Sequence, residues 1–170
     1  PAALLEHAGF SVNCLDLSLQ KLDSIEWRDA ALVALHLGMH TATRIALEAL
    51  PRIRTLAPGA RLCAYGLYAP MNAALLHARG VTDVIGGEFE PALVAAARRA
   101  RDGAAGAAPA AAVIHRGKVD FAVPQRANLP PLARYARLVL PDGSERTVGF
   151  AEASRGCKHQ CRHCPIPPVY

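Results

Sequence analysis

The sequence predicts an α/β protein: an open parallel sheet with helices on both faces, then a linker, then a shorter extended region. Three observations lead there. Across residues 1–102, short aliphatic runs of strand character alternate with helix-like segments, the pattern that yields parallel strands joined by crossover helices. Hydrophobic residues make up 52% of the 170 and charged residues 19%, so a sizeable apolar core is available and wholesale disorder is excluded. Aromatic residues amount to only 5% while alanine fills 34 positions, so that core is built from Leu, Val, Ile and Ala, as suits helices packed on a sheet. The length allows one ordinary domain, or one domain and part of another.

The elements follow in order. Residues 1–8 read as a helix with Pro1 at its first position and Gly9 just past its end. Residues 10–15 read as a strand. Residues 30–37 are nearly all apolar, as expected of a central strand covered on both faces, and Gly38 ends them. Residues 41–56 place Ile45, Ala49, Ile53 and Leu56 at helical spacing, with Pro51 predicting a kink or break. Residues 61–66 form a second buried strand, 70–79 a short helix stopped by Gly80, 81–85 a strand, and Glu90-Pro91 opens a helix to about Asp102. A doubly wound sheet begins with a strand, so a first strand is expected upstream of Pro1. Residues 103–112 are Gly- and Ala-rich with little to bury; with the proline-punctuated stretch after them they read as a linker over 103–134. Residues 135–140 and 145–150 flank Pro141-Asp142-Gly143-Ser144, a hairpin signal, and the second of these strands runs on toward a cysteine-rich loop in the final region, 135–170. No internal repeat is evident.

Charge and cysteine usage narrow the function. No apolar run approaches the ~20 residues of a membrane-spanning helix, and no leader pattern is seen, so a cytoplasmic protein is expected. Residues 1–110 carry ten basic and ten acidic groups, whereas residues 111–170 carry nine and four, so the whole net charge of +5 lies in the last third. Those basic groups are spread singly, not in the clusters with aromatics that phosphate-tracking surfaces show, which argues against nucleic acid. The five cysteines are Cys14, Cys63, Cys157, Cys161 and Cys164; an odd number with three crowded together points to metal chemistry in a reducing compartment. Cys14 and Cys63 fall in predicted strands and are expected to pack as small apolar groups. His36, inside a predicted strand, is expected in the core, and His7, His77 and His115 on the surface.

The informative segment is Arg155-Gly156-Cys157-Lys158-His159-Gln160-Cys161-Arg162-His163-Cys164-Pro165, with Cys-x3-Cys-x2-Cys spacing after a predicted strand. Thiolates select zinc, copper(I) or iron–sulfur clusters, and three of them can each hold one iron of a four-iron cube. One iron then stays open, as a catalytic centre requires. Because His159 and His163 are interleaved with the cysteines, a structural zinc site is the competing reading.

This loop resembles the cluster-binding motif of the radical S-adenosylmethionine superfamily, where it follows the first strand of a partial α/β barrel. The resemblance implies that Cys157, Cys161 and Cys164 bind a 4Fe-4S cluster whose open iron is chelated by S-adenosylmethionine. It implies reductive cleavage to a 5′-deoxyadenosyl radical, with electrons from a flavodoxin- or ferredoxin-type donor. The residue before the third cysteine is commonly aromatic in that family and packs near the adenine; here it is His163.

Residues 1–102 resemble the Rossmann-like cobalamin-binding domain found upstream of the barrel in a large radical S-adenosylmethionine subgroup. The carriers are Leu4-Leu5-Glu6-His7-Ala8-Gly9-Phe10-Ser11-Val12 and Val84-Ile85-Gly86-Gly87-Glu88-Phe89-Glu90-Pro91-Ala92-Leu93. Ligands of open parallel sheets bind beyond the carboxyl ends of the strands, so Gly38, His40, Thr41, Gly66, Tyr68, Gly86 and Gly87 are the expected cofactor-binding positions, together with His163. The Asp-x-His-x-x-Gly motif that supplies a cobalt-ligating histidine in some cobalamin domains is absent. Residues 153–170 are also similar to a radical S-adenosylmethionine subfamily known for a Cys-Cys-Ala-Glu-Pro or selenocysteine-containing tail. The resemblance as a whole implies an enzyme whose remaining barrel lies beyond Tyr170, so that the chain alone is inactive. The alternative class is a Rossmann-like ligand-binding or regulatory module with a zinc-bearing basic tail.

Overall fold

Four parallel strands in sequential order, β1 (Leu32–His36), β2 (Arg61–Tyr65), β3 (Asp83–Gly87) and β4 (Val113–His115), form the sheet around which the chain is organised. The computed structural model describes residues 1–103, 111–149, 155–159 and 161–164. Helices α1 (Ala2–His7), α2 (His40–Leu56), α3 (Ala73–Ala78) and α4 (Glu90–Arg101) cover it. Strand side chains alternate between faces, and two apolar clusters result. On one face Val33, Leu62, Ala64 and Val84 pack with Ala46, Leu50 and Ile53 of α2 and Leu76 of α3. On the other, Cys63 and Ile85 pack with Leu93 and Ala96 of α4 and Leu5 of α1. This two-sided covering is a Rossmann-like α/β architecture.

Several expectations change. Residues 10–15 join neither edge of the described sheet; a strand exists only where a backbone partner completes its ladder, and here Phe10 N–H turns back to the Leu5 carbonyl. β1 lies at an edge of the described sheet and is half-covered; β2 and β3 are the buried strands. Helix α2 runs unbroken through Pro51, because buried Leu50 and Ile53 on either side hold its apolar stripe to the sheet. That packing outweighs the roughly 3 kcal/mol a mid-helix proline costs. The fourth strand lies in the stretch expected to be linker, where Val113, Ile114 and His115 pair with Ile85, Gly86 and Gly87. Of the low-complexity stretch, residues 104–110 lie outside the described residues.

The expected hairpin forms as two-residue strands, β5 (Leu138–Val139) and β6 (Glu145–Arg146). Asp142 accepts hydrogen bonds from the Ser144 backbone (2.9 Å) and hydroxyl (2.7 Å), closing the turn. The run from this hairpin into the cysteine loop passes through residues 150–154, outside the described residues. No helix among the described residues is long and apolar enough to cross a membrane.

Candidate functional site

The carboxyl ends of β1, β2 and β3 meet in one edge. There the imidazole of His36, the phenol of Tyr65 and the ring of Phe89 form a cluster, with centroids 5.1 Å apart for His36–Tyr65 and 4.9 Å for Tyr65–Phe89. His36 was expected in the core; it is exposed, because it is the last residue of its strand and its ring points into the turns that follow. A Cβ added at Gly38 would lie 3.1 Å from that ring, as would one at Gly66, so both glycines make room for the chain's own histidine. Gly66 also has φ +110 and would bring a Cβ within 2.9 Å of the Leu37 carbonyl oxygen.

The other predicted positions sort in the same way. A side chain at Gly86 would collide with the Pro70 ring, and one at Gly87, where φ is +66, with the His115 carbonyl. The Glu88 amide donates to that same carbonyl at 2.8 Å, so β4 holds the turn after β3 in place. Tyr68 is half-buried and donates its amide to Leu37 at 2.9 Å. His40 and Thr41 are exposed on the first turn of α2. The space a side chain would need at Gly66, Gly86 and Gly87 is thus filled by protein atoms.

The turn after β3 carries the strongest electrostatics of this edge. Glu90, 4% exposed, accepts two hydrogen bonds from the guanidinium of Arg155, at 2.7 and 2.6 Å, and Glu88 accepts a third at 3.1 Å. The same guanidinium lies 4.3 Å from the Phe89 ring centroid and 5.7 Å from that of Phe121. Burial by itself would raise the Glu90 carboxyl, but the Arg155 hydrogen bonds and charge outweigh it and hold the group below its ordinary value of 4.5. Sequence reasoning did not find this arrangement. Its only trace was the excess of basic residues in the last third, which does not say which arginine returns to which acid.

Arg155 introduces the cysteines. Cys157 is half-buried, with the His159 amide 3.4 Å from its sulfur, while Cys161 and Cys164 are exposed and joined by a turn in which Cys164 N–H donates to the Cys161 carbonyl at 3.2 Å. His163 is exposed within that turn. Among the described residues no three His, Cys, Asp or Glu side chains are gathered closely enough to hold a metal ion. The donor chemistry nevertheless fits an iron–sulfur cluster: three thiols on one short accessible loop, with a backbone N–H already directed at one sulfur. Metal sites of this type close when the metal supplies the energy that orders the loop. Cys63, by contrast, is fully buried in β2, and burial pushes its thiol well above the ordinary range, as suits a packing residue. Cys14 sits half-buried in the stretch after α1, its thiol also raised by burial.

No family model, curated protein or solved structure matches the chain.

Proposed function

We propose that the chain carries the cluster loop of a radical S-adenosylmethionine enzyme, set against a Rossmann-like domain and continued in the full protein by a partial barrel. The observation that carries this reading is the Cys-x3-Cys-x2-Cys loop, which begins two residues after a side chain tied to the carboxyl edge of a parallel sheet. That edge is where open α/β sheets bind their ligands. Cys157, Cys161 and Cys164 would hold a 4Fe-4S cluster. When bound, the cluster supplies the single electron that cleaves S-adenosylmethionine reductively, drawn from a flavodoxin- or ferredoxin-type donor. The chain's own contributions would be three thiolates and, at His163, an imidazole before the third cysteine to lie against the adenine. Cobalamin would lie across the loops that follow β1, β2 and β3, at residues 38–41, 66–70 and 86–88, and no step is routed through it.

Anaerobic reconstitution of the intact protein with iron and sulfide tests the reading. A brown species with about four irons per chain, lost in Cys157→Ala, supports it. One tightly held zinc and no iron uptake supports the second reading, a structural zinc site drawing on His159 or His163, for which the interleaved histidines speak. Titration with hydroxocobalamin decides the corrin separately; an unchanged spectrum removes it.

A further inference from the structure

We infer that Arg155 is a positioning residue that latches the cysteine loop onto the carboxyl edge of the sheet, bringing whatever the thiolates hold alongside the His36–Tyr65–Phe89 face. The latch stands on geometry, and rests on the proposed function only for the identity of the centre it positions. Arg155 makes a two-pronged pair with Glu90, a further bond to Glu88 and a stack on Phe89, joining positions 65 to 67 residues apart in the chain. Such a fork fixes direction as well as distance, which a lysine ammonium cannot do. The pair is shielded, with Arg155 19% and Glu90 4% exposed, so it does not belong to the class of solvent-screened surface ion pairs. Only Gly156 separates Arg155 from Cys157, so the two Cα atoms lie within about 7 Å of each other. The burial gradient agrees: Cys157, next to the latch, is half-buried while Cys161 and Cys164 are exposed.

Glu88 and Glu90 are the receptor for the loop, and Gly87 brings the backbone close enough to β4 to aim them. Two regions distant in sequence then form one composite site, with the metal loop on one wall and the aromatic cluster on the other.

The test uses the full chain, metal-free and reduced, with timed iodoacetamide labelling read by mass spectrometry. Each rate is corrected for thiolate fraction from its pH profile. In the wild type Cys157 should label more slowly than Cys161 and Cys164. Arg155→Ala should raise the Cys157 rate about tenfold, the size expected for losing one charge-assisted pair, with the other two within about twofold. Arg155→Lys should fall between. Because Arg155→Ala strands a buried carboxylate, Arg155→Ala/Glu90→Gln supplies the same loss without it, and Cys63, unreactive throughout, reports that the sheet stays folded. An unchanged Cys157 rate in the double variant with Cys63 protected overturns the latch. So does a rise shared equally by all three loop thiols. If the wild type takes up no iron, the metal reading falls while the labelling pattern still decides the latch.

Discussion

Every buried apolar side chain among the described residues lies between Ala3 and Ala97, whereas no described residue from 111 onward is buried. Leu62, Cys63, Leu76 and Leu93 are almost wholly removed from water; Phe121, Val123, Val139 and Val148 are more than half exposed. The first region is held by non-directional burial spread over many side chains. The second is held at a few places by directed polar contacts that reach back to the first. Arg155 grips Glu88 and Glu90, the Tyr135 hydroxyl donates to Asp16 at 2.9 Å, Arg134 donates to the Leu19 carbonyl at 3.1 Å, and Asn128 to that of Val12 at 3.3 Å. Burial tolerates the loss of any one small contact, but a tether lost is a position lost. The candidate chemistry therefore sits in the region whose placement depends on single residues.

The sharpest way to break this contrast is to strike a buried ion pair on which the first region also depends. Asp83, 5% exposed, pairs with Arg61, 4% exposed, and with Arg99 at 2.9 Å, at the amino ends of β2 and β3. Burial would raise the Asp83 carboxyl, but hydrogen bonds from Arg61, Arg99 and Thr82 outweigh it and hold it below 3.8. Asp83→Ala leaves a guanidinium buried without its main partner and should destabilise the chain by about 3–5 kcal/mol, read as a lower urea midpoint by circular dichroism. A midpoint within error of the wild type would show that the pair is solvent-accessible in solution.

Gly87→Ala should act at the seam between the two regions. It forces a side chain into a left-handed backbone and against the His115 carbonyl, a strain of roughly 1–3 kcal/mol. The Glu88 amide should then lose its protection from hydrogen exchange while the amides of β2 keep theirs. If both lose protection together, β4 is an integral part of the core.

Acid should release the second region most gently. Glu90 binds its proton less tightly folded than unfolded, so its contribution is complete above its ordinary value of 4.5 and is lost as the pH falls below that through the folded value. The guanidinium signals of Arg155, followed by nitrogen-15 NMR, should stay fixed above about pH 5 and shift toward free-arginine positions below it. Signals already free at neutral pH would dissolve the tether.

The strands centred on Ala34, Cys63 and Ile85 were readable as short, nearly continuous apolar runs, and the helices around them from apolar residues recurring at about 3.6. The hairpin was readable from its turn residues, Asp142 and Gly143. Three features were not. The 10–15 run has strand composition but no ladder, since composition does not supply a neighbouring backbone. Val113–His115 is too short to stand out beside the alanine-rich stretch and becomes a strand only because β3 offers an unpaired edge. His36 looked like core because its strand is apolar, yet being last in that strand brings it out to the edge.

By itself, then, the sequence determined which segments could bury apolar surface on a sheet and which three sulfurs stand close enough along the chain to share a metal. Both are local properties, set by side-chain period and by the short reach of a few peptide units. The tertiary structure alone decided which glycines serve packing and that Arg155 returns across 65 residues to Glu90. An ion pair carries no sequence spacing of its own; it is selected by where the folded backbone delivers opposite charges into a shielded place.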